Sequence, residues 1–207
     1  SSDVCSSDLG TMGLSSGGGN GGAIYNNGGI VTINQVFFTS NTGRQGGAIR
    51  TSGQMTITNS AIHSNQATPS GGGAGIAGAI LQEGADSTLY MENSTVTFNV
   101  TAFFDRAIIK ISAGTAEIVN STIANNSDRG LNAGGTITLT NSILAGNSTA
   151  SCYSGTPISG GYNIVDDTSC NISATGDMTN TNPLLGSFSS NGDYTSAYRL
   201  TDSSPAL

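Results

Sequence analysis

MTITNSAIHSN (55–65), LYMENSTVTFN (89–99), AEIVNSTIANN (116–126) and ITLTNSILAGN (137–147) are copies of one pattern, and VTINQVFFTSN (31–41) is a fifth. In each copy an amide side chain is followed six residues later by Asn. The first amide column is Gln35, Asn59, Asn93, Asn120 and Asn141, and the second is Asn41, Asn65, Asn99, Asn126 and Asn147. Both columns advance by the same steps of 24, 34, 27 and 21 residues. A fixed motif at variable spacing marks a stacked repeat that carries insertions of different length. The longest step contains Pro69 to Gly78, a Gly-rich stretch that reads as a loop at a corner.

Inside each copy the hydrophobic period is two. Val31/Ile33, Met55/Ile57, Leu89/Met91, Ala116/Ile118 and Ile137/Leu139 alternate with polar residues, as half-buried strands do. A second inward column follows (Phe38, Ile62, Val96, Ile123, Leu144), and a third precedes the motif (Ile24, Ile49, Ile80, Ile108, Leu131). Three short strands per turn of roughly 20–30 residues describe a three-faced coil. The predicted fold class is all-β: a right-handed single-stranded parallel β-helix of about five to seven coils, with an irregular C-terminal segment. A helical reading fails, because Gly, Ser, Thr and Asn interrupt every window and no 3.6-residue stripe persists. Coils stacked about 4.8 Å apart would bring equivalent Asn side chains into amide ladders. Gly46-Gly47 would allow positive φ where the chain bends sharply.

Composition bounds the function classes. Charged residues are 9% of the chain, against about 25% in an average soluble protein, and the net charge is −7. Six basic residues cannot neutralise a run of phosphates, so nucleic acid is not an expected partner. No apolar run reaches the length of a membrane-crossing helix.

Residues 1–9, SSDVCSSDL, match residue for residue the translation of the sequencing-adapter oligonucleotide AGTTCAGACGTGTGCTCTTCCGATCT. They are read as a non-native artefact on a metagenomic fragment and set aside, with Cys5 among them. On that reading the native N-terminus is missing and a signal peptide is not observable. The predicted organisation is then 10–149 as β-helix coils and 150–207 as a C-terminal coil and loop segment.

The GGAI…ITN-S-x-I-x-x-N unit resembles bacterial right-handed parallel β-helix repeat proteins, including those with polymorphic outer-membrane-protein-like repeats. The tail is similar to the C-terminal part of choice-of-anchor Q proteins. It does so through Cys152, GGYNIVDD (160–167), Cys170, GDMTNTNPLLG (176–186) and the segment from NGDYTSAYRL to SSPAL (191–207). The resemblance covers residues 20–207 and implies a pectin-lyase-like solenoid in a secreted or surface-displayed bacterial protein. It also implies that the pattern continues past Leu207. Asp193-Tyr194 stand where Gly-Pro is usual in that family. In an exported protein, Cys152 and Cys170 are most simply a disulfide closing a loop worth about 3 kcal/mol. The alternative is a pair of free or metal-binding thiols, for which no nearby His completes a zinc set.

Asp105-Arg106 and Asp128-Arg129 are expected at equivalent places in consecutive coils, each Arg two residues before Ile108 or Leu131, with Lys110 close by. The sharper reading makes them the catalytic candidates of a polysaccharide lyase or glycoside hydrolase acting on an acidic glycan, the one case that would imply Ca²⁺. The plainer one is a surface ion-pair ladder of little energetic weight. Asp166-Asp167 are adjacent, so in a strand they point to opposite faces and a turn fits them better than a paired-carboxylate site. His63 is read as plain surface. The Asn-x-Ser/Thr sequons at Asn93, Asn99, Asn120, Asn125, Asn147 and Asn171 are attributed to the repeat, with stacked Asn inaccessible to glycosylation. No cofactor or metal is expected otherwise. The preferred functional reading is a non-enzymatic module for adhesion, glycan contact or spacing, using exposed columns such as Thr32, Thr56, Tyr90, Glu117 and Thr138. Extracellular or cell-surface glycans are the partners it implies.

Overall fold

A computed structural model describes residues 21–69, 76–102, 107–190 and 195–207. Residues 1–9, read above as an artefact, Asp105, Arg106, Asp193-Tyr194 and most of the Pro69–Gly78 loop lie outside these residues. Among the described residues there are strands and turns and no helix. Three parallel sheets dominate, and in each the spatial order of strands is their order in the chain. Sheet A is built from Ile24–Asn26, Ile49–Thr51, Ile80–Gln82, Ala107–Ile111, Arg129–Ala133 and Cys152–Tyr153. Sheet B is built from Ile30–Asn34, Gln54–Thr58, Thr88–Glu92, Thr115–Val119, Thr136–Thr140 and Ile158–Gly161. Sheet C runs from Phe37–Thr39 through Ala61–His63, Thr95–Thr97, Thr122–Ala124, Ile143–Ala145 and Ile164–Val165 to Met178–Thr179. The chain visits the sheets in rotation, so it is all-β with parallel sheets stacked as in a β-helix solenoid.

The registers follow the sequence columns. Val31, Met55, Leu89, Ala116 and Ile137 pair in line, as do Ile33, Ile57, Met91, Ile118 and Leu139. Phe38, Ile62, Val96, Ile123 and Leu144 form the inward column of sheet C, which Val165 extends. These chains fill one continuous apolar core. The third column departs by one residue: Ile80 and Leu131 pair with Ile109, not Ile108. Ile108, Ile109 and Ile111 are all buried, so hydrophobicity alone does not set this register. Backbone bonds such as Ala79 N–H to the Ile108 carbonyl do. At the Gly-Gly corner Gly46 has φ +82°, and a Cβ on Gly47 would strike the Gly78 carbonyl of the next coil.

Three polar ladders close the corners of sheet C. Gln35, Asn59, Asn93, Asn120 and Asn141 all adopt left-handed φ of 48–57°, with their side chains exposed. They are the bends themselves, since Asn tolerates this region better than most residues. The next residue points inward. Val36 N–H donates to Ser60 Oγ (3.1 Å), Ser60 N–H to Ser94 Oγ (3.1 Å), and Ser94 N–H to Ser121 Oγ (3.2 Å). Ser121 N–H then donates to Ser142 Oγ (3.2 Å), and Ser142 N–H to Asn163 Oδ1 (3.0 Å). The second amide column is the buried ladder. Asn41, Asn65 and Asn126 each donate Nδ2 to the Oδ1 of the next coil's Asn at 2.9 Å, and Asn99 does so at 3.2 Å. Further Nδ2 bonds reach backbone carbonyls on both coils, as from Asn99 to Ile62 and Thr97.

Beyond the last coil the chain turns back across the open end. Cys170 pairs with Cys152, and Cys170 and Ile172 enter the core cluster. An antiparallel hairpin, Leu185–Ser189 with Ala197–Leu200, then crosses the outer face of sheet C. Tyr198 Oη lies 2.6 Å from Thr97 Oγ1 and accepts from Asn125 Nδ2 (2.8 Å). Thr195 Oγ1 donates to the Asn59 carbonyl (3.1 Å).

Candidate functional site

Two long outer faces carry ligand-capable side chains. On sheet A the column between the inward ones is Tyr25, Arg50, Leu81, Lys110, Asn132 and Tyr153, of which Leu81 and Asn132 are buried. The Arg50 guanidinium lies over the Tyr25 ring (5.1 Å to the centroid) and pairs with Glu83 at 2.7 Å. Arg129 lies 3.9 Å over the Tyr153 ring. Asp128 is buried; its Oδ1 accepts the Arg129 amide (2.8 Å) and its Oδ2 accepts from Thr101 Oγ1 (3.1 Å). Both oxygens of Asp128 are therefore engaged within the fold. Arg129 stands opposite Ala107 in the ladder, a consequence of the one-residue offset at Ile109. The expected equivalence of the two Asp-Arg pairs assumed Ile108 opposite Leu131, and the observed register does not have that pairing.

On sheet B three outward columns stand side by side in register over five coils. Ile30, Gln54, Thr88, Thr115 and Thr136 form one edge; Thr32, Thr56, Tyr90, Glu117 and Thr138 the middle; Asn34, Thr58, Glu92, Val119 and Thr140 the other. The face holds a shallow trough of about 390 Å³ around Thr56, Tyr90, Glu117 and Thr138. Tyr90 Oη donates to Glu92 Oε2 at 3.0 Å. That bond to the carboxylate, with burial and the negative charges of Glu92 and Glu117, raises the Tyr90 phenol above its ordinary value. The trough thus offers an aromatic ring held by one carboxylate, a second carboxylate on the next coil, and rows of hydroxyls. Sequence columns had placed Tyr90 and Glu117 there; the part of Glu92 needed the hydrogen-bond geometry.

The remaining candidates resolve into structure. Asp166 accepts from Gly146 N–H (2.6 Å) and Ser151 Oγ (2.9 Å), while Asp167 accepts from Ser151 N–H and Ser169. They stand in a bend, as their turn reading has it, and they brace the disulfide loop. Asp177, not singled out in the sequence, accepts from Ser159 Oγ (2.6 Å), Asn163 and Ala174 N–H. Partial burial pushes its carboxyl up, but these donors outweigh that and leave it below its ordinary value. His63 is not plain surface: it makes edge contacts with Phe37 (5.7 Å) and Phe188 (5.3 Å), and burial lowers its pKa. The sequons divide. Asn99 is buried in the amide ladder, whereas Asn93, Asn120 and Asn125 are exposed bends with left-handed φ, so inaccessibility does not describe them.

Among the described residues no group of three or more His, Cys, Asp or Glu side chains is placed to hold a metal ion, and no helix is long and apolar enough to cross a membrane. Comparison of the chain with protein-family models, curated proteins and solved structures finds no match.

Proposed function

We propose that this chain is a right-handed, pectin-lyase-like parallel β-helix from a secreted or surface-displayed bacterial protein, acting without catalysis as a glycan-contacting, adhesive module. The observation that carries the reading is the sheet B face: hydroxyl columns in register over five coils, with Tyr90 set between Glu92 and Glu117 in a shallow trough. A hydroxyl-rich array repeating about every 4.8 Å suits the hydroxyls of an extended polysaccharide, and a central tyrosine suits the C–H face of a sugar ring. The Cys152–Cys170 disulfide fits an oxidising, extracytoplasmic setting. The resemblance of the tail to choice-of-anchor Q proteins supports surface display. The test is saturable retention on immobilised polysaccharides: Tyr90→Ala should weaken it at least tenfold without product release, and retention indifferent to Tyr90 would overturn the assignment of the face.

A second reading is favoured by one feature of sheet A, the cationic and aromatic column of Tyr25, Arg50, Lys110 and Tyr153. On this reading an acidic glycan lies along sheet A and is cleaved there, with Lys110 or Arg129 as the base and Ca²⁺ as the expected ion. Unsaturated or reducing ends released from polyuronate, and abolished by Lys110→Ala, would support it. A polyuronate left intact by folded protein would sink it.

A further inference from the structure

The left-handed corner column that reads Asn59, Asn93, Asn120 and Asn141 continues, one coil on, with Tyr162 at φ 60°. A bulky side chain in this region is strained by about 1–2 kcal/mol relative to the ordinary backbone regions. Here the aromatic is also 63% exposed. Its ring sits against Gly176 (φ +76°), where any Cβ would collide with Tyr162. Asn120 and Asn141 line the same cavity as Tyr162, and Asn141 Nδ2 donates to Asn120 Oδ1 at 2.8 Å. Between this corner, the outer face of sheet C and the segment Pro205, Ala206 and Leu207 lies a cavity of about 390 Å³, within the usual range of small-ligand sites. One wall is polar, with Asn120, Asn141 and Thr122; the other is apolar, with Ile143, Met178 and Leu200. No Asp, Glu, Lys or Arg lines it.

We propose that this cavity is a binding subsite for one or two neutral pyranose units, stacked on the Tyr162 ring with their hydroxyls bonded to the Asn120–Asn141 amides. The chemistry selects that class. Lining side chains without charge neither attract nor neutralise a uronate or phosphate, the two side-chain amides both donate and accept as sugar hydroxyls require, and the ring supplies a platform for an axial C–H face. The strain at Tyr162 fits a residue kept for binding, because Asn at this corner would satisfy the backbone better. The choice of ligand class rests on the glycan-contact reading, but the place is separate from the Tyr90 trough and the two can fail independently.

The test is methyl NMR of the full chain labelled at the methionine methyls, with Met178 in the cavity as reporter and core-buried Met91 as the control for folding. Cellobiose, maltose and xylobiose are titrated, with trigalacturonate as the acidic and p-cresol as the apolar comparison. A saturable Met178 shift with at least one neutral disaccharide is expected, retained in Tyr162→Phe and weakened at least tenfold in Tyr162→Asn, which restores the corner's usual residue and should keep the fold. The Tyr90→Ala protein should give the same Met178 shift even where it has lost polysaccharide retention. Met178 unmoved by all three sugars, moved equally in Tyr162→Asn, or moved by p-cresol or trigalacturonate alone would overturn the proposal.

Discussion

At the residue scale the fold turns on two asparagines six positions apart that do different work. Asn126 is buried, and its Oδ1 accepts from both the backbone and the side chain of Asn99, while its own Nδ2 serves three acceptors. Asn126→Leu should therefore cost about 3 kcal/mol or more, since each stranded buried polar group costs about 1–3 kcal/mol. Asn120 is exposed and contributes mainly a left-handed bend. Asn120→Leu should cost about 1–2 kcal/mol and Asn120→Gly almost nothing. Urea unfolding checks the order, and equal losses for the two leucine variants would contradict it. Thr138→Leu, on the outer face of sheet B, should cost least. The sequence shows both columns because spacing is visible in it, but backbone dihedrals are not, so it cannot say which column is the ladder. The Ser60, Ser94, Ser121 and Ser142 ladder was missed although the Asn-Ser dipeptide recurs in plain view. A serine beside an asparagine reads as surface until the bend turns it inward.

At the element scale the solenoid strands were legible because period-two alternation repeats on every coil. The register of Ala107–Ile111 slipped by one because consecutive isoleucines leave alternation silent. The terminal hairpin was not legible: Phe188 and Tyr198 pack on the outside of sheet C, so the inward columns carry no trace of them. His63 sits under this hairpin against Phe188, and its pKa is lowered by burial from 6.5. The folded state then binds fewer protons than the unfolded chain, so stability rises with pH and the His63 contribution is complete only above about pH 6.5. As pH falls through that value the hairpin should loosen, read as faster amide exchange at Ala197–Leu200, and His63→Phe should remove the dependence. Exchange that ignores pH between 7 and 5, beyond the intrinsic chemistry, would contradict this. Asp177 has the opposite charge type but the same sign of effect: its lowered carboxyl adds stability above about pH 3.8 that is lost on further acidification. The end loop depends on its crosslink, and Cys170→Ser should cost about 3 kcal/mol by the loop-closure estimate for an 18-residue separation.

At the scale of the whole molecule, stacking turns single residues into surfaces. Each outward position recurs one coil on, so sheet B gathers hydroxyls and carboxylates and sheet A gathers Arg50, Lys110, Tyr25 and Tyr153. In a chain of net charge −7 with six basic residues, Lys110 and the Glu83-paired Arg50 stand on sheet A while Glu92 and Glu117 stand on sheet B, which gives the molecule two chemically distinct sides. Column positions made Tyr90 and Glu117 legible from sequence as exposed neighbours, but the trough they share with Glu92 appeared only once the register was fixed. The most direct measurement is retention of the full chain on immobilised neutral and acidic polysaccharides, with soluble products assayed in the same samples. Saturable retention, weakened at least tenfold by Tyr90→Ala and accompanied by no new reducing or unsaturated ends, is the expected result. Cleavage abolished by Lys110→Ala, or retention that Tyr90→Ala leaves unchanged, would contradict a non-catalytic contact face on sheet B.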